Sequence, residues 1–184
     1  MKGLLFPQIK RYQFLFILRY AFIGTILAAL YGIIHDQITF TISPEYFTKM
    51  KFKQFSYADF HIGDRFFVAT IGALATWWVG FFIGWFLSRS IINSSNEITM
   101  SKKIKLGFTI VFLSAIIISS IVALYTFLIP DFYDYRYWKS TLDYYNIKDS
   151  DAFIRVAFIH YASYLGGIGG LIIAFLTLKV KRFS

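Results

Sequence analysis

The sequence has no cysteine in 184 residues. Disulfides, thiolate zinc sites and cysteine nucleophiles are therefore excluded, and the redox compartment cannot be read from cysteine usage. Charge is scarce as well. Charged residues make up 16% of the chain, against 57% hydrophobic and 21% aromatic, too apolar for an ordinary soluble domain of this size. There is no nucleotide-binding motif and no nucleophile elbow. No A-x-A-like cleavage site appears between Arg11 and Tyr31, and Arg19 interrupts the stretch, so a retained span fits better there than a cleaved signal peptide.

What the chain does have is four long apolar runs: Phe14–Ile34, Phe66–Leu87, Leu106–Ile129 and Val156–Leu178. Each approaches the roughly 20 residues an α-helix needs to cross a hydrocarbon core of about 30 Å. Lipid offers the backbone no hydrogen-bond partners, so helices are the expected spanning form. The expected fold is all-α, a single integral-membrane domain over residues 1–184 with four transmembrane helices (14–34, 66–87, 106–129, 156–178). The 35–64 loop should be partly structured and fold over one end of the bundle.

The net charge of +9 is distributed unevenly. The N-terminus, the 88–105 loop and the C-terminus hold eleven basic residues (Lys2, Lys10, Arg11, Arg19, Arg89, Lys102, Lys103, Lys105, Lys179, Lys181, Arg182) against the single acid Glu97, a net of +10. Segments 35–65 and 131–155 hold eight basic and nine acidic residues, a net of −1. Lys/Arg excess marks the cytoplasmic face, so both termini are expected inside, with their basic residues among anionic headgroups. This placement gives nucleic-acid binding little support. Arg19, early in the first run, is expected to snorkel to that interface.

Small residues mark helix faces that can approach closely. Gly72, Thr76, Gly80 and Gly84 recur every fourth residue in the second run. Val156, His160, Ser163, Gly167, Gly170 and Ala174 form a stripe in the fourth, overlapped by Ala162–Gly166–Gly170. These patterns predict that spans two and four meet, with His160 facing protein, while spans one and three face lipid. Of Trp77 and Trp78, one is expected to pack inward with a partner for its indole N–H. Asp131–Trp138 reads as an aromatic girdle at the outer interface.

In the outer loop, Ile38, Phe40 and Ile42 alternate with Thr39, Thr41 and Ser43. That spacing suggests a short strand, or else an extension of the first helix. Ser43-Pro44-Glu45 reads as a helix start with Ser at the N-cap and Pro first. Glu45 is then explained as an acid near a helix N-terminus.

Three motifs carry a resemblance. They are H-D-Q-x-T followed by E-Y-F (His35, Asp36, Gln37, Thr39, Glu45, Tyr46, Phe47), A-T-W-W-x-G (Ala75–Gly80) and H-x-x-S-Y-L-G-G (His160, Ser163, Tyr164, Leu165, Gly166, Gly167). Together they resemble a family of small bacterial four-span membrane proteins. The resemblance implies an architecture, a bacterial inner membrane and a cluster facing the periplasm, but no activity.

All three histidines fall at the outer ends of the runs with most of the carboxylates: His35 and Asp36, then Asp59, His61 and Asp64, and His160. Imidazole and carboxylate suit Zn, Fe, Mn or Cu. For a metal site the expected ligands are His35, Glu45 and His160, with Asp36, Gln37 and Asp64 as the groups that orient them, Asp36 doubling as a base for hydrolysis. Haem held by His35 and His160, or metal-free acid–base chemistry, is a lesser option. The plain alternative is a polar network in which His160 bonds Asp36, Tyr46 or Gln37 and pins the loop. Two functions therefore stand. The leading one is an accessory or binding subunit contacting lipid, a protein partner or a second copy. The alternative is a metal-dependent membrane enzyme acting at the outer face on a lipid or small molecule. Transport ranks third, since four helices would have to oligomerise to surround a pathway.

Overall fold

The computed structural model describes residues 9–92, 96–129 and 131–180. Lys2, Lys181 and Arg182, and the side chain of Lys179, lie outside the described residues. The elements are α1 (Arg11–Ile42), a π-helical turn (Tyr46–Lys51) running into Phe52–Gln54, a 3-10 turn (Ser56–Ala58), α2 (Asp64–Ile91), α3 (Glu97–Leu128), the short α4 (Tyr135–Tyr145) and α5 (Ser150–Val180). Four helices, α1, α2, α3 and α5, are long and apolar enough to cross a membrane. The chain is all-helical among the described residues, and its four long helices extend the four predicted runs at one or both ends.

Of the two readings of Ile38–Ser43, a strand or an extension of the first helix, the structure has the extension, since α1 continues through Ile42. The threonines that supplied the polar half of the alternation bond back along the helix. Thr39 Oγ1 donates to the His35 carbonyl (3.0 Å) and Thr41 Oγ1 to the Gln37 carbonyl (3.1 Å). Asp36, Thr39 and Phe40 are buried together, which is helical spacing. The start at Ser43 is as predicted. Ser43 Oγ accepts from the Tyr46 amide (3.4 Å) and Pro44 opens the helical stretch.

The helices form two sequential pairs, α1 on α2 and α3 on α5. This corrects the expectation that spans two and four meet. The glycines of α2 face α1: Gly84 lies on the Tyr20 backbone, Gly80 on Gly24, and Gly72 on Gly32. Thr76 Oγ1 donates across the seam to the Ala28 carbonyl (2.7 Å) and within its own helix to the Gly72 carbonyl (2.8 Å). Partners step by four in opposite directions, as an antiparallel pair requires. The reason lies in a stripe on α1, Ala21–Gly24–Ala28–Gly32, that complements the one on α2. Small residues on both sides let backbones touch. On α5, Gly166 lies against Ser114 and Ala115 of α3, and Gly170 against Val111 and Ser114. Gly167 meets nothing within 4 Å and is not in the seam. Ser163 turns instead to α1, where its hydroxyl shares a 2.7 Å hydrogen bond with the Tyr31 hydroxyl.

Neither Trp77 nor Trp78 packs inward; both are about half exposed (46% and 50%). The α1 seam occupies the opposite face of α2 and leaves these indoles on the outside. Within Asp131–Trp138 the chain enters α4, a helix not expected from the sequence. Asp134 caps it by accepting from the Arg136 amide (2.9 Å), and Asn146 ends it in the left-handed conformation (φ 49°). It buries Leu142, and Trp138 packs toward Phe158.

Buried residues form two clusters. Phe16, Ile17, Tyr20, Leu87, Ile104 and Phe108 are among those at the end where α1 begins. Phe40, Tyr46, Phe47, Val68, Phe153 and Ile154 are among those at the distal end, under the π-helical turn. The 35–64 segment is therefore folded onto the bundle over residues 46–51, where Phe47 is fully buried.

Candidate metal centre

Burial and helix register bring His35 and Asp36 of α1 to His160 of α5. Single donor atoms from the three lie within 4.8 Å of one another. The His35 and His160 rings meet edge to face at 4.8 Å. His160 Nε2 stands 3.9 Å from Asp36 Oδ1 and shares a 3.2 Å hydrogen bond with Thr39 Oγ1. The Thr39 hydroxyl is also within reach of the His35 and Asp36 carbonyls (3.0 and 3.3 Å), and the tautomer of His160 decides which atom donates in the shared bond. His160 is 4% exposed and Asp36 5%.

Among the described residues, one buried side-chain nitrogen stands out. His35 Nε2 is buried without a hydrogen bond, which costs roughly 1–3 kcal/mol for a desolvated polar group. A cation beside it would remove that cost by taking up the lone pair. For a tetrahedral ion with donors at about 2.1 Å, donor atoms stand about 3.4 Å apart. The triad is slightly wider than this and would contract by somewhat over 1 Å to close on an ion.

Aromatic rings hold the triad in place. Tyr31, one turn before His35, stacks on it (5.6 Å, 27°), and Tyr46 of the π-helical turn stacks on His160 (5.1 Å, 27°). Lys51 Nζ lies 5.7 Å from the centroid of the Tyr46 ring. Burial pushes its ammonium down from the ordinary value and the Asp36 carboxylate pulls it back in part. Burial likewise pushes the Tyr46 hydroxyl well up, helped by Tyr164, Tyr161 and Asp36, so Tyr46 stays neutral.

The other sequence-predicted residues stand elsewhere. Glu45 is not at the triad: its Oε2 accepts from the amides of Lys148 (3.0 Å) and Asp149 (2.9 Å), and Lys49 pairs with it. Partial burial pushes its carboxyl up, but the Asp149 amide, the Lys49 ammonium and the Lys148 amide outweigh that and hold it below the usual range. Gln37 faces α2, where its Nε2 donates to the Arg65 carbonyl (2.7 Å) and its Oε1 accepts from Arg65 Nη1 (3.1 Å). Asp64 is exposed in the first turn of α2. The His61 side chain is 87% exposed and pairs only with Asp59 (3.4 Å). Asp36 therefore stands beside His35 and His160, where Glu45 was expected. Tyr31 and Lys51 were not anticipated. The i, i+4 row Tyr31–His35–Thr39 carries the signal for Tyr31, and it shows only once α1 is extended through Thr39.

The chain matches no family model, no curated protein and no solved structure.

Proposed function

We propose that this is a multi-pass membrane protein that binds one transition-metal ion through His35, Asp36 and His160. The observation that carries the reading is the buried, unpartnered His35 Nε2 beside a carboxylate and a second imidazole. Ionisable groups at membrane depth are costly and are functional candidates for that reason. Two imidazoles and one carboxylate suit Zn, Fe, Mn or Cu. Three protein donors leave a tetrahedral ion one further position, as in sites that bind a water or substrate group. The function is metal binding as an accessory or binding subunit, and metal-dependent chemistry on a lipid or small molecule is the form it takes if that fourth position is used.

Titration of the purified protein with Co2+ tests this. A visible ligand-field band that saturates at one ion per chain and is lost in Asp36→Asn and His160→Ala supports the reading. A featureless titration contradicts it.

A second reading has its own observation, the stack of Tyr46 on His160. Here the cluster pins the π-helical turn to the bundle and binds nothing. The sidedness of the charges supports cytoplasmic termini, with the triad on the opposite side. Together with the family resemblance, that means the periplasmic side of a bacterial inner membrane. A reporter fused at Asn96 should read cytoplasmic; an external reading would overturn this topology.

A further inference from the structure

Away from the metal centre, beside the buried cluster that joins α1 to α3, a crevice of about 820 Å³ lies between the two helices. Its floor is apolar, with Ile23 and Leu27 on one wall and Phe108, Phe112 and Leu113 on the other. Its mouth is cationic, lined by Arg19, Lys102 and Lys105 with the Ser101 hydroxyl beside them. Arg19, Ile23 and Leu27 recur every fourth residue on α1. Lys102, Lys105, Thr109 and Phe112 follow one face of α3. Each helix thus changes from cationic to apolar along the same groove.

We propose that this crevice is a binding site for one anionic phospholipid, whose phosphate sits among Arg19, Lys102 and Lys105 and whose acyl chain lies between α1 and α3. Three features fix the occupant. The first is charge: Lys102 and Lys105 have no ion-pair partner among the described residues, and Arg19 has only a loose one, Glu97 at 3.8 Å. The second is length. From Lys102 to Leu113 the helix rises about 16 Å, close to the roughly 15 Å hydrocarbon depth of one leaflet. The third is orientation: the cations lie at the end of the bundle that carries the basic excess, where anionic headgroups are attracted. A soluble anion would use the mouth and leave the apolar floor bare. The inference rests on the four helices spanning a membrane and is independent of the metal reading.

The test is native mass spectrometry of the full chain in detergent with added phosphatidylglycerol or phosphatidylcholine of identical acyl chains. One phosphatidylglycerol per chain, retained in preference to phosphatidylcholine, is expected. The triple variant Arg19→Gln/Lys102→Gln/Lys105→Gln should lose affinity by on the order of 100-fold, about five-fold per cation. Leu113→Trp, which fills the groove without touching charge, should displace the lipid as well. Removal of three cations from the other end (Lys53→Gln/Lys139→Gln/Lys148→Gln) should leave binding unchanged. Equal retention of the two lipids, binding unaffected by Leu113→Trp, or an equal loss in both triple variants would overturn the proposal. So would inorganic phosphate competing fully with the lipid.

Discussion

Gly80 of α2 lies so close to Gly24 of α1 that a Cβ built on either would overlap the carbonyl group of the other. The two backbones are in direct contact at mid-helix. The same holds for Gly72 with Gly32, so the contact is a seam and not a single crossing. Gly80→Ala should force the helices apart and destabilise the protein by roughly 1–3 kcal/mol, the usual range for overpacking. Gly167→Ala, with nothing within 4 Å, should be neutral or stabilise by up to about 1 kcal/mol through helix propensity. Reversible unfolding in mixed micelles measures both. Equal effects at the two positions would show that the seam is drawn wrongly.

Thr76 adds a side-chain hydrogen bond across this seam, to the Ala28 carbonyl at 2.7 Å. Thr76→Val keeps the shape and removes the hydroxyl. A loss of about 0.6 kcal/mol, at most about 1.7, is expected in the same assay.

These two predictions rest on residues whose role was partly legible in the sequence. Span positions followed from apolar length alone, and the small-residue rows on α2 and α5 were visible. Their partners were not, because a stripe states that a face is thin without stating what lies on it. The matching Ala21–Gly24–Ala28–Gly32 row sits in a run whose Leu, Ile and Phe mask it, since those residues occupy the lipid-facing side. The triad was half legible. His35 and His160 stood out as candidate ligands by their residue type and their place at helix ends. Asp36 and Glu45 are both acids near one helix end, and only the continuation of α1 through Ile42 points one inward and carries the other past the triad.

Glu45 is a structural staple in this fold. Glu45→Gln should destabilise the protein by about 1–2 kcal/mol, because two amides then lose a charged acceptor. Metal content should be unchanged. Since the folded carboxyl is held below its ordinary value of 4.5, the stabilisation from Glu45 is fully present above pH 4.5. It is lost as pH falls through the folded value. The gap between wild type and Glu45→Gln should therefore narrow only in the acid range. A variant that instead loses metal would restore Glu45 as a ligand.

Lys51 sets a cation 5.7 Å from the centroid of the Tyr46 ring, which stacks on His160, and feels the Asp36 carboxylate. A second cation is disfavoured beside the first, so Lys51→Met should tighten metal binding. Isothermal titration with Zn2+ reads this directly. Weaker binding in Lys51→Met would mean that the ion does not sit beside Asp36.

The central claim is that His35, Asp36 and His160 hold a metal. It is tested most directly by elemental analysis of protein purified in detergent without chelator or nickel affinity, beside His35→Ala and Asp36→Asn. His35→Ala removes the unpartnered nitrogen, and Asp36→Asn preserves the volume of the site if the first variant folds poorly. The account predicts close to one transition-metal ion per chain in the wild type and little in either variant. Absence of metal from the wild type, or equal metal in all three proteins, would contradict it and leave the triad as the clasp between Tyr46 and the bundle.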